Sequence, residues 1–139
     1  MGINIKFVDN EEELDNCLSI RRKIFIEEQK ISEEIELDDD HVNAISVCAI
    51  MNEMYVGTAR YRETSSGIKL ERFAVLHNYR GQGIGKALVK FMVDKIDGKK
   101  KIYLHAQEAV VDFYLPLGFE KINARFYEAG IPHWKMIKK

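Results

Sequence analysis

The 139 residues amount to one domain, long enough for a core that needs no disulfide or metal staples. Lysine and arginine number 21 against 22 aspartates and glutamates, and this balance of -1 argues against a generic nucleic-acid binder, which carries a clear basic excess. With 46% hydrophobic and 31% charged residues, disorder is disfavoured, and no apolar run approaches the roughly 20 residues of a membrane-spanning helix.

Ile3, Ile5 and Phe7 alternate with polar neighbours and predict an opening half-buried strand rather than the apolar centre of a secretion signal. Lys6 stands where myristoylation needs Ser or Thr. Asp9 or Asn10 then caps a helix that carries Leu14, Cys17, Leu18, Arg21, Ile24 and Phe25 at helical spacing to about Glu28. Cys17 and Cys48 lie among apolar residues without CxxC spacing, which reads as buried reduced thiols and fits the cytoplasm. The acidic run from Glu33 to Asp40 is a solvated loop or the flank of a site for a cationic substrate.

Ala44 to Met51, Met54 to Arg62 and Ile68 to Leu76 predict three strands joined by Asn52-Glu53 and Ser65-Ser66-Gly67, an antiparallel meander. A helix follows from Gly83 to Ile96, with Ile84, Leu88, Met92 and Ile96 facing inward. Gly98 is expected to end it and Lys99 to Lys101 to neutralise its carboxyl end. Ile102, Leu104 and Ala106 predict another strand, Glu108 to Tyr114 a short helix stopped by Pro116 and Gly118. Two last strands lie between Phe119 and Ile137, broken at Gly130-Ile131-Pro132. The order β-α-β-β-β-α-β-α-β-β is α/β with a mixed sheet.

The stretch from Leu70 to Leu88 is where chemistry is expected, because a strand enters a turn with glycine at every second position and a helix leaves it. Glycine lets backbone N–H groups approach a ligand, and with the unpaired donors of a helix N-terminus they make a seat for phosphate oxygens, to which Arg80 adds charge. A P-loop is excluded, because Gly85-Lys86 is followed by Ala87 and Arg80 occupies the first glycine position. A dinucleotide fingerprint fails too, because Lys86 stands where its third glycine belongs. The pattern that is met is Arg/Gln-x-x-Gly-x-Gly/Ala, filled by Arg80-Gly81-Gln82-Gly83-Ile84-Gly85.

At these residues the chain resembles the GNAT N-acetyltransferase superfamily, and the order of elements extends the resemblance over nearly its whole length. The resemblance implies a single GNAT domain over residues 1–139, a mixed and mostly antiparallel twisted sheet flanked by helices. It also implies acetyl-CoA as cosubstrate. The pyrophosphate would be held by Arg80, Gly81, Gln82, Gly83, Ile84, Gly85 and Lys86, and the pantetheine arm by Phe73, Ala74 and Val75, with Phe113 beside them. A second stretch, Ala109 to Phe119, matches the family's short helix and Gly-Phe strand entry, and puts Tyr114 where many members place the tyrosine that protonates the departing thiolate. The other reading of Tyr114 is a ring in the core with its hydroxyl satisfied locally.

Glu71 stands where the superfamily often has a glutamate that accepts the amine's proton; the alternative is a strand glutamate paired with Arg72 or Arg60. A finer resemblance, to the ElaA/YjcF-like branch, rests on Arg22 to Gln29, on Glu36 to His41 and on Gly130-Ile131-Pro132-His133-Trp134-Lys135-Met136. It makes Phe25, Glu28, Gln29 and His133 substrate candidates, His133 being equally a residue that bonds the backbone at a turn.

His41, His77 and His105 show no HxH or HxxxH pairing and no Cys/His cluster exists, so no metal is expected. The expected partners are acetyl-CoA and an amine-bearing small molecule or protein, with no nucleic acid and no membrane; the family's frequent dimers add a homodimer. Charge is segregated accordingly: Arg80 and Lys86 gather where an anionic donor would dock, and Glu28, Glu33, Glu34, Glu36 and Asp38 to Asp40 where a cationic acceptor would approach. The enzyme reading is N-acetyl transfer to a primary amine by direct attack. A non-catalytic acyl-CoA sensor on the same fold and a phosphate-ligand module unrelated to coenzyme A stay open beside it.

Overall fold

Alternation and apolar runs become strands where they are expected to. The computed structural model describes residues 2–31, 44–96 and 98–139, which form one seven-stranded sheet. Its strands are β1 (Asn4–Phe7), β2 (Ile45–Met51), β3 (Met54–Thr64), β4 (Gly67–Val75), β5 (Ile102–Gln107), β6 (Phe119–Glu128) and β7 (Ile131–Lys138). They lie side by side in the order β1-β2-β3-β4-β5-β7-β6. All neighbours are antiparallel except β4 and β5. The acidic run from Glu33 to Asp40, and His41, lie outside the described residues.

Helix α1 (Glu11–Arg21) starts where Asn10 accepts a hydrogen bond from the Glu13 amide, with three glutamates in the first turn favoured by the helix dipole. The expected single helix to Glu28 is instead α-helical only to Arg21 and π-helical over Arg22–Glu28. The wider turn is held by the Gln29 amide donating to Ile24 O at 2.9 Å, and it lays Ile24 and Phe25 together against Ala74 of β4.

Helix α2 (Ile84–Lys95) buries Ile84, Leu88, Val89 and Met92 against the other face of the sheet. It ends at Lys95, before Gly98: Ile96 turns extended, and its side chain stays in the core. Helix α3 (Val111–Tyr114) is a single turn set between 3-10 turns at Glu108–Val110 and Leu115–Leu117. Both cysteines are buried and free, as their apolar neighbours imply.

Candidate active site

The site begins with a strand that loses its neighbour. The parallel ladder of β4 and β5 runs from Ile68↔Ile102 to Leu70↔Leu104 and stops. Next along β4, Arg72 adopts φ +58°, and a β-bulge shifts its register with β3, so that β4 bends and twists away from β5. Ala74 and Val75 still pair with Thr58 and Gly57 of β3, while the other edge of this segment faces a cleft of about 760 Å³. An unpaired strand edge offers N–H and C=O groups to any extended ligand with an amide-rich chain.

The cleft continues over the turn into α2. Gly81 and Gly83 adopt φ +80° and +85°, a conformation that strains any residue with a Cβ. Gly83 also stands at the N-cap and offers no side-chain oxygen, so the first amides of α2 keep their donors for an anion. Gly85 is glycine for another reason: a Cβ there would lie 3.2 Å from the Phe113 ring. The motif therefore holds two kinds of glycine, separable by mutation. Gly83→Ala is expected to lose about 1–2 kcal/mol of stability from backbone strain. Gly85→Ala is expected to change stability by less than about 0.5 kcal/mol, because Phe113 is half exposed and can swing aside while alanine favours the helix. Urea midpoints of the two variants check this, and equal losses would overturn it.

Arg80 is held at the rim by two partners. Its Nε donates to Val75 O at 3.0 Å, and its two terminal nitrogens donate to Glu28 at 2.8 and 2.7 Å. The bidentate bond keeps the Glu28 carboxyl below its usual range. Glu28, expected beside the acceptor, is thus committed to Arg80, the residue expected beside the pyrophosphate.

Tyr114 projects from α3 with its ring against Phe73, Phe113 and Phe119, at 5.9, 5.0 and 6.0 Å between centroids. The ring is buried in the core, and its hydroxyl makes no hydrogen bond among the described residues although Tyr114 lines the cleft. Burial pushes the phenol well above its ordinary value near 10, so it stays protonated.

Glu71 is buried, and three cations reach it: Arg60 Nε at 2.7 Å, Arg62 Nε at 2.9 Å and Lys69 Nζ at 3.5 Å. Burial pushes its carboxyl up, but Arg60, Arg62 and Lys69 outweigh it and the net shift is downward. A carboxylate so held is a weak proton acceptor, which turns the balance towards the ion-paired alternative, with Arg60 in it.

Beyond Glu71 the cleft is walled by β5 and the β6–β7 end. His133 does both things expected of it: Nδ1 donates to Ile131 O at 2.7 Å, and the ring lines the cleft. Gln29, from the end of the π turn, accepts from Gln107 at 3.0 Å, and Phe25 lies beside it in the lining.

Phe73, Ala74, Val75, Arg80, Gly81, Gly83, Ile84, Gly85, Lys86 and Phe113 line the same cleft as Glu71 and Tyr114; Gln82 does not, and Ile84 turns its side chain into the core. Sequence reasoning missed Lys69, Arg62, His105 and Glu128, which also line it. The available signal was the alternation of β5: Ile102, Leu104 and Ala106 mark the core face, which leaves His105 and Gln107 on the other face, and both line the cleft.

Besides Glu28, three carboxylates among the described residues are depressed. Glu13 is lowered to about 2 by its hydrogen bond from Lys6, and Glu128 to about 2 by its hydrogen bond with His105. Glu71 is lowered by its three cations against the effect of burial. The stability they contribute is fully present above the ordinary value of 4.5 and is lost as the pH falls towards about 2. Urea midpoints should therefore fall between about pH 5 and about pH 2, and a flat profile over that window would refute the assignment.

Comparison with known proteins gives the same picture. A family model described as an acetyltransferase (GNAT) domain matches residues 11–139. The uncharacterised Bacillus subtilis protein YyaT is 36% identical over 142 residues, which span 99% of this chain and 96% of that protein. The uncharacterised N-acetyltransferase YjcF of the same organism is 34% identical over 134 residues, 93% of this chain and 94% of that one. The crystal structure of Escherichia coli ElaA superposes with a TM-score of 0.89 at 22% identity, covering 99% of this chain and all of that chain. An aminoglycoside 6'-N-acetyltransferase complexed with coenzyme A superposes with a TM-score of 0.78 at 18% identity, over 97% of this chain and 96% of that one.

Proposed function

The chain belongs to the GNAT acetyltransferase family, in its ElaA/YjcF-like branch, and from that premise we propose that it transfers an acetyl group from acetyl-CoA to a primary amine by direct attack. The observation that carries the reading is the open inner edge of β4 leading, through a 3-10 turn at His77–Tyr79, to the Gly81–Gly83 turn and the uncapped start of α2. A pantetheine arm would pair with the edge at Phe73 to Val75 as an extra strand. The pyrophosphate would sit on the amides of the turn and helix, with Arg80 and Lys86 adding charge.

The thioester then lies near Tyr114, whose protonated hydroxyl meets the sulfur. The amine nitrogen attacks the carbonyl carbon, the C–S bond breaks and the thiolate takes a proton. Backbone N–H groups of Phe73 to Val75 would polarise the carbonyl oxygen. Holding both reactants in one cleft supplies much of the rate by removing the entropy of their encounter. The acceptor would be a small molecule or an accessible protein amine reaching the cleft past Phe25, Gln29 and His133.

Two measurements test this. Calorimetry with acetyl-CoA should give saturable binding, and none at millimolar ligand would sink the reading. Thiol release should then be followed with spermidine, glucosamine, an aminoglycoside, amino acids and lysine peptides as acceptors. Binding with no release from any amine would support the acyl-CoA sensor instead.

A further inference from the structure

The wall of the cleft on β5 holds a titratable cluster that the proposed reaction has not yet used. Leu70 and Leu104 are the last pair of the β4–β5 ladder, so Glu71 and His105 are the first residues on either side of the opening. Glu71 is engaged by three cations. His105 differs. Its Nδ1 lies 3.2 Å from Glu128 Oε1, and a carboxylate only accepts, so Nδ1 carries the proton and the lone pair sits on Nε2. The ring is steadied by Phe126 and Tyr103, at 5.0 and 5.8 Å between centroids, and keeps an exposed edge in the cleft.

The surroundings fix Glu128 as a charged acceptor. His133 spends Nδ1 on Ile131 O and turns Nε2 towards Glu128 Oε2 at 3.7 Å. From β4, Lys69 adds its charge to Glu128 and lies 3.5 Å from Glu71. From β7, Lys135 pairs across the ladder with His105 and sits over the Tyr103 ring at 4.8 Å. Gln107 on the same strand is bound to Gln29. Of the described charged and titratable groups around the opening, His105 is the one whose geometry leaves a basic lone pair beside the cleft.

We propose that His105 takes the proton from the acceptor's ammonium group, with Glu128 as the positioning residue that fixes its tautomer; the proposal rests on the acetyl-transfer reading above. The ammonium loses one proton to Nε2, and the lone pair so freed forms the N–C bond to the thioester carbonyl. As the C–S bond breaks, Tyr114 gives its proton to the thiolate, and the second proton of the amine nitrogen restores the phenol through solvent in the cleft. His105 passes its own proton to water at the exposed edge. The sum is ammonium plus thioester giving amide, thiol and one proton.

The test uses the full chain, acetyl-CoA and whichever amine of the array above is acetylated fastest. His105→Gln should lower kcat near neutral pH about 100-fold and leave acetyl-CoA affinity within about twofold by calorimetry. Its rate should keep climbing towards the amine's own pKa, where the wild-type rate has levelled off. Glu128→Gln should lower kcat with KM held, and its pH profile should shift in the same sense. His105→Ala, a second variant in case glutamine disturbs folding, should regain rate with added imidazole, which a merely structural role would not allow. Wild-type kcat and pH profile in His105→Gln, or no imidazole rescue, would overturn the proposal. Failure of the wild-type protein to bind acetyl-CoA or to acetylate any amine is a separate result, which overturns the parent reading and this one with it.

Discussion

Glu71→Gln is expected to lower stability by about 3 kcal/mol, equivalent to a fall of about 10 °C in Tm for a domain of this size. The amide keeps the volume and removes the charge that three cations face. Lys69 and Arg62, with side chains 13% and 25% exposed, can recover some hydration, whereas Arg60 at 1% cannot and loses the carboxylate charge beside its Nε. The large loss is therefore the cost of keeping Arg60 buried after the Glu71 charge is gone rather than the worth of the ion pair. On that argument a double variant, Arg60→Met with Glu71→Leu, should lose less than Glu71→Gln alone, because it removes the buried charge together with its carboxylate. Urea unfolding of the two proteins decides it: a Glu71→Gln loss below about 0.5 kcal/mol would mean that water reaches Arg60. The same variant separates the two groups at the opening of β4 and β5. Its pH–rate profile should keep the wild-type shape, whereas that of His105→Gln changes.

Tyr114→Phe is expected to lower kcat about 100-fold, in line with the loss of one positioned proton donor. Acetyl-CoA affinity should stay within about twofold, because on the proposed mechanism the hydroxyl meets the sulfur only as the C–S bond breaks and makes little of the binding. Stability should hardly change. Phenylalanine keeps the ring contacts with Phe73, Phe113 and Phe119, and the hydroxyl it removes has no hydrogen bond among the described residues. Burial also sets the pH range of the effect. The acid form is the one required and its pKa is raised, so the wild-type rate should show no alkaline fall at or below the ordinary phenol value near 10. Single-turnover thiol release checks both parts; an unchanged kcat would leave Tyr114 as packing alone.

Local chemistry was legible wherever the cause is local. The Asn10 cap, the strand alternation at Ile3, Ile5 and Phe7, and the stripe of Ile84, Leu88 and Met92 all depend on residues within a few positions of one another. The π turn at Arg22–Glu28 was not, because apolar and polar residues at helical spacing look alike until Ile24 and Phe25 must both reach Ala74. Gly85 illustrates the same limit inside the motif. Its spacing matches that of Gly81 and Gly83, but the reason for it is Phe113, far along the chain and brought over by α3.

The site divides in the same way. An anion seat at the start of α2 follows from sequence, since glycines before a helix leave backbone donors exposed whatever surrounds them. The proton chemistry does not follow from sequence, because the behaviour of a carboxylate or imidazole is set by what stands within a few ångströms of it. For Glu71 the sequence leaves a base and an ion-paired strand glutamate equally open, and only the sheet brings Arg60 and Arg62 of β3 against it; His105 looked like an isolated histidine until Glu128 arrived from β6. Sequence determined most of the elements, the family resemblance and the expected seat for the donor's phosphates, all of which rest on neighbours in the chain. Which groups hold protons and which only hold charges was decided by the sheet, because electrostatic partners are chosen by register and crossover, and these pair residues that the chain keeps far apart.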